Sequence, residues 1–222
     1  MYVYESKINL LTRVACNPIG AELLHQAGLM ARLAEFSVLD LRPDPDTSLL
    51  REMEDGGEES GGQIGKYHSV LFPALRLCQA VLVSLGSENM LAVSQIVHFL
   101  AGHKELTSII LRGSAARSSL HPSLLQELAL MTSVMSRSAI LDLKHDMMDA
   151  SSLELQGQLS RMQKQMMALL HQFQINESLV TSLQSSKQSQ ASTLHVLQII
   201  SNATSFARTL VLSASPNPRS TR

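Results

Sequence analysis

Asp142, His145, Asp146 and Asp149 form the densest group of chemically able side chains in the sequence. On a helix they would share one face, a spacing that suits the oxygen and imidazole ligands of a divalent cation. The same residues also make an ordinary solvated acidic turn between helices, and the turn is the expectation: no metal is implied. Gly65-Lys66 has the ending of a phosphate-binding loop. The first glycine of that pattern, however, falls on Ser60, and its closing hydroxyl position is Tyr67. No apolar strand precedes it, and the nearby acids would repel a phosphate. His98 and His103 stand five apart, off a common helical face. There is no glycine-flanked nucleophilic serine, no His-Glu metal helix and no paired cysteine ligands. Neither a catalytic centre nor a cofactor is expected. What remains is contact chemistry, and its best candidates are Met162 and Met166 with Arg161 and Lys164 beside them. Thioethers adapt to varied surfaces, although an apolar seam of this kind is more often core.

The elements that must position these residues are helices. Hydrophobic residues make up 45% of 222, but aromatics only 4% and tryptophan none, so the core must be aliphatic with help from 11 methionines. The stretch from Tyr67 to Gly113 organises the rest. Its first helix is apolar on two adjacent faces, Val70, Ala74, Leu77 and Val81 beside Leu71, Leu75, Cys78 and Leu82, and so needs cover on more than one side. Gly86 offers a C-terminal cap and Ser87 an N-cap for the next helix. That second helix carries Leu91, Ile96, Val97 and Leu100 to Gly102. A third carries Leu106, Ile109, Ile110 and Leu111 to Gly113. Short helices on minimal turns, the first nearly engulfed, predict an all-α fold of α-solenoid type, HEAT/armadillo-like stacked helices. A weak echo between Leu10–Gly28 and Ile96–Gly113 agrees.

In order along the chain, residues 1–41 read as N-terminal helical units. The first has Val3, Leu10, Leu11, Val14 and Ala15 apolar and is broken by Asn17-Pro18. Leu29 to Leu39 continues as one run. Residues 42–65 read as an acidic Gly/Pro-rich loop. Between Asp40 and Glu59 lie 8 of the 19 acids. Residues 66–173 form the central array. There His121-Pro122 opens a helix with the stripe Leu124, Leu128, Met131 and Met135, and Leu155, Leu159, Met162, Met166, Leu169 and Phe173 step by alternating fours and threes. Residues 174–192 are a polar linker, and 193–212 a last helix with Val196, Ile200, Ala203, Ala207 and Leu210 aligned. Residues 213–222 form a frayed tail. Cys16 and Cys78 have no disulfide or zinc spacing and read as buried thiols. No signal peptide is visible, and the charge-free run Leu77–Gly86 is too short to span a bilayer. With net charge −1, no direct contact to nucleic acid is expected.

The runs Leu10-Leu11-Thr12-Arg13-Val14-Ala15, Phe72-Pro73-Ala74-Leu75-Arg76-Leu77-Cys78-Gln79, Leu125-Gln126-Glu127-Leu128-Ala129-Leu130 and Glu154-Leu155-Gln156-Gly157 occur in order, with Arg161 and Gln163 after them. Together they resemble the C-terminal region of the giant inner-ring scaffold nucleoporin family over about Asn9 to Pro216. The resemblance implies an α-solenoid in the nuclear pore complex at the nuclear envelope. It also implies a structural role in nucleocytoplasmic transport, and contacts with other scaffold and linker nucleoporins through an amphipathic helix. Asn217–Arg222 departs from the family pattern, which makes a fragment the expectation. The helix holding Met162 and Met166 is the candidate wall of a partner groove, with Arg161 and Lys164 favouring an acidic rim. The competing reading packs that seam on the helix from Leu194 to Leu212. A helical-repeat adaptor outside the pore is the alternative function.

Overall fold

A computed structural model describes residues 2–45, 62–113, 121–139, 150–175 and 189–214. Every regular element there is helical: α1 (Tyr2–Ala15), α2 (Pro18–Gln26), α3 (Leu29–Ala34), a 3-10 turn (Ser37–Asp40), α4 (Gln63–Leu85), α5 (Met90–Gly102), α6 (Lys104–Gly113), α7 (Pro122–Arg137), α8 (Ala150–Ile175) and α9 (Ser189–Ala214). The all-α stacked-helix class expected from the sequence is the class observed. The chain divides into two compact units, residues 1–110 and 111–222.

In the first unit α4 is the hub, touched by α1, α2, α5 and the 3-10 turn, while α3 packs on α5. Both of its expected faces are buried, from Val70 and Leu71 to Val81 and Leu82. It starts at Gln63, three residues inside the segment expected to be loop, so Gly65 and Lys66 lie in its first turn and form no phosphate loop. Pro73 has no N–H to give to the Ser69 carbonyl, and one residue further on the Val70 carbonyl accepts the Tyr4 hydroxyl at 3.3 Å. Gly86, at φ 76°, closes the helix in a backbone conformation that favours glycine. The next cap is Asn89, not Ser87. Gly86 leaves the helix with ψ 164°, so the chain needs more residues before it turns back, and the Asn89 side chain accepts from the Ala92 N–H at 3.1 Å.

The face of α1 differs from the expected one. Tyr4, Ile8, Leu11 and Ala15 line the inner side, while Val3, Leu10 and Val14 are exposed. Two apolar stripes run side by side on this helix, and the inner one carries the tyrosine that stacks on Phe36, with ring centroids 5.4 Å apart. In α2, Asn17 caps and Pro18 opens the first turn. Gly20 sits so close to α1 that a Cβ there would lie 2.2 Å from the Val14 carbonyl oxygen. The expected single run from Leu29 to Leu39 ends at Ala34 and resumes as the 3-10 turn. Leu91, in the first turn of α5, is exposed, and Ile109 is half exposed on α6. Cys78 is buried 4.0 Å from the Met30 sulfur, and burial pushes its thiol up to about 12. Cys16, in contrast to the expectation, is exposed beyond the last turn of α1. By length and composition α4 could cross a membrane, yet twelve of its residues are buried among its neighbours, as in the core helix of a folded unit.

In the second unit α9 touches both α7 and α8. α7 is capped by His121 and opens on Pro122. It is buried well beyond the expected stripe: Glu127 through Met135 are all inside. α8 runs to Ile175 and α9 starts at Ser189, so both helices enter the stretch expected to be linker, of which 176–188 lie outside the described residues. The buried stripe of α9 is Ser192, Val196, Ile199, Ala203 and Phe206. Ile200, Ala207 and Leu210 are only partly covered, because the bulky Phe206 turns its own side inward. The expected metal-type group 142–149, the acidic run 46–61 and the tail from 215 lie outside the described residues.

Candidate interaction surfaces

His103, just past α5, has both ring nitrogens engaged. Its Nδ1 lies 2.9 Å from Asp40 Oδ1 and its Nε2 3.0 Å from the Leu33 carbonyl. Both neighbours are acceptors, so a neutral ring satisfies one and a protonated ring both. The ring also meets Phe99 edge-on at 5.0 Å. This constellation joins α3, the 3-10 turn and the end of α5. With both nitrogens occupied, it has no free base to offer a substrate. Tyr67 adds a second tie to the same segment, its hydroxyl donating to the Leu39 carbonyl at 2.5 Å. Tyr4 adds a third through Phe36, and its hydroxyl is pushed up to about 12 by burial, then by Cys78 nearby. Sequence reasoning treated the histidines as scattered singles. The partner of His103 is 63 residues away, and no local spacing signals it.

Among the described residues no group of three or more His, Cys, Asp or Glu side chains could hold a metal ion.

Of the four residues singled out for partner contact, Met162 is 5% exposed and Met166 0%. With Leu169 they form the buried side of α8, and α8 packs on α9. The structure therefore gives the two methionines the internal seam rather than an open groove wall. α9 carries a buried stripe of the same four-three spacing, Val196, Ile199, Ala203 and Phe206. Arg161 and Lys164 are exposed on the outer side of α8, where Met167 is also 42% exposed. The seam and the two cations thus separate onto different faces. On the other flank of α9, Asn202 Nδ2 donates to the Ala129 carbonyl and to Thr132 Oγ1 on α7, each at 3.1 Å. Burial lowers the pKa of His195 on the same helix.

Outward apolar side chains collect at two places. Leu10 and Val14 of α1 and Ile19 and Leu23 of α2 are exposed in the first unit; Leu194, Leu197, Val211 and Leu212 of α9 are exposed in the second. Scattered exposed leucines need no explanation, but two adjoining helices with outward apolar residues suit a stacked array.

Comparison with known proteins agrees with this architecture. The chain is 33% identical over 229 residues to the nuclear pore complex protein Nup205 of Homo sapiens, covering 97% of this chain and 11% of that protein. It is 29% identical over 225 residues to Nup205 of Drosophila melanogaster, again covering 97% and 11%. It thus spans about a ninth of the length of these relatives. A family model described as nuclear pore complex scaffold, nucleoporins 186/192/205, matches residues 1–139. Through that match this chain belongs to the scaffold family of nucleoporins 186/192/205 of the nuclear pore complex.

Proposed function

We propose that the chain is a structural piece of the nuclear pore complex, part of its inner-ring scaffold at the nuclear envelope, supporting nucleocytoplasmic transport through contacts with other nucleoporins. The observation that carries this reading is the family match over residues 1–139, continued by the Nup205 similarity across 97% of the chain. The physical character of the molecule supports it. The His103 and Tyr67 side chains are tied to backbone and Asp40 inside the first unit, and the accessible features are helix faces. Partners of this surface are scaffold and linker nucleoporins presenting an amphipathic helix. Since Met162 and Met166 are inside, the contact residues proposed for such a helix are Arg161 and Lys164, which favour an acidic rim on the partner, with the exposed Met167 one turn beyond Lys164 as the apolar anchor.

Titration of the purified chain with acidic amphipathic helices taken from scaffold and linker nucleoporins tests this. Saturable binding that weakens with added salt and with Arg161→Glu/Lys164→Glu is expected. Binding indifferent to both would move the site away from α8, and no binding to any such helix would favour an adaptor role outside the pore.

A further inference from the structure

α8 carries a second stripe. Opposite the buried Met162, Met166 and Leu169 stand Gly157, Arg161, Lys164, Ala168 and His171, all exposed and spaced four, three, four, three. That is the spacing along which a second helix can lie. From Gly157 to His171 the stripe runs about 21 Å down one helix. Two of its positions have almost no side chain: a Cβ added at Gly157 would meet nothing within 4 Å, and Ala168 offers only a methyl group. The other three are basic. None of Arg161, Lys164 and His171 has a side-chain hydrogen bond or ion pair with a described residue. Arg161 and Lys164, three apart, are therefore neighbouring like charges, an arrangement that weakens a helix until an anion relieves it. The described side chains of the second unit supply no such anion. The exposed ions there are Arg112, Arg137, Arg161, Lys164 and Arg208, and the carboxylate of Glu127 is buried.

We propose that this stripe docks one kind of partner helix, with a bulky apolar side chain over each small position and a carboxylate over each fixed cation. The inference rests on the assignment of Arg161 and Lys164 as partner contacts, and it names the partner's sequence pattern. That pattern is an apolar residue, acids four and seven positions on, and a second apolar residue at eleven. A spacing of four, three, four reads the same in both directions, so either helix polarity fits. A third acid, three positions past the apolar residue that covers Ala168, would reach His171 and set the polarity. Charge complementarity selects an anion, and shape selects a helix over a nucleic acid. Small residues let two helix axes approach to the near end of the range of about 8–10 Å, whereas a phosphate backbone, bound through its charge, gains nothing from them.

The test titrates the full chain with a fluorescein-labelled helical peptide of that pattern, and with a control of identical composition whose two acids are moved two positions along. Saturable binding of the patterned peptide, roughly tenfold stronger than that of the control, is expected. Gly157→Gln with Ala168→Gln is the decisive variant. Both sites are exposed, so circular dichroism should show helicity kept, while the filled stripe should bind roughly tenfold more weakly or worse. Binding by the variant equal to that of the parent overturns the close approach. Equal binding of the two peptides overturns the register and leaves an acidic helix as the partner. A chain that binds native nucleoporin helices but not the patterned peptide overturns the pattern alone. A chain that binds no acidic helix overturns the contact assignment as well, and preference for a DNA duplex over both peptides overturns the occupant.

Discussion

The two units are held together in different ways. In the first, distant side chains are cross-tied: Tyr4 to the Val70 carbonyl, Tyr67 to that of Leu39, His103 to Asp40 and Leu33. These bonds span 28 to 70 residues and fix a short helix and a 3-10 turn that have too few apolar residues to fix themselves. In the second, two 26-residue helices, each with a periodic buried stripe, pack on one another, and the Asn202 amide ties α9 to α7. Long helices gain order from periodicity, whereas short ones need named partners. The contrast predicts that apolar-to-charged changes harm the second unit most, and loss of single polar groups the first.

The largest effect is expected from Met166→Asp. It places an unpaired carboxylate at a fully buried position, at a cost of roughly 3–5 kcal/mol. Hydrogen exchange should show α8 and α9 deprotected while α4 keeps its protection. Protection unchanged in α8 would mean that the seam is not core. Leu77→Ala, also fully buried, should cost about 2–5 kcal/mol, this time in α4, as read by the denaturation midpoint. His103→Leu removes the ring that bridges Asp40 and the buried Leu33 carbonyl, for about 1–3 kcal/mol, with exchange rising in α3 and the 3-10 turn. A melting temperature unmoved by that change would remove the cross-tie from the account.

Acid and alkali should then separate the units by direction. Burial raises the Cys78 thiol from 9.0 and the Tyr4 hydroxyl from 10.0, each to about 12. The folded first unit keeps protons that the unfolded chain releases, so this contribution is complete below pH 9 and is lost as pH rises from there towards 12. His195 is the reverse case, lowered from 6.5 by burial. The folded second unit binds fewer protons than the unfolded chain, so its contribution holds above pH 6.5 and falls away as pH drops below it. Site-resolved melting across pH should show α4 weakening at the alkaline end and α9 at the acid end. The smallest effect belongs to Arg161→Glu with Lys164→Glu. Both side chains are exposed, and melting should stay within about 0.5 kcal/mol of the parent while affinity for an acidic helix drops.

What was legible in the sequence follows the same division. Both faces of α4 are visible in periodicity because a helix covered on two sides must be apolar on two sides. The seam of α8 is visible because its spacing is strict. The inner face of α1 is not, since Val3, Leu10 and Val14 make a stripe as good as the buried one, and long-range contacts such as the Tyr4–Phe36 stack and the Tyr4–Val70 bond choose between them. The burial of α7 is understated by its stripe, because Glu127, Thr132 and Ser133 are polar residues that local periodicity assigns to water. The His103–Asp40 pair is invisible for a simpler reason: it depends on a separation of 63 residues that only the fold brings together. The family resemblance, carried by packing residues, was legible throughout. It marked no contact residue, and the periodic seam that singled out the two methionines does not distinguish an open groove wall from the buried side they occupy.

The central claim is that these helices serve the architecture of the nuclear pore, and imaging tests it most directly. With a fluorescent tag on the endogenous chain, the account predicts a punctate nuclear rim coincident with pore markers. A diffuse nuclear or cytoplasmic signal from the intact tagged chain would contradict it.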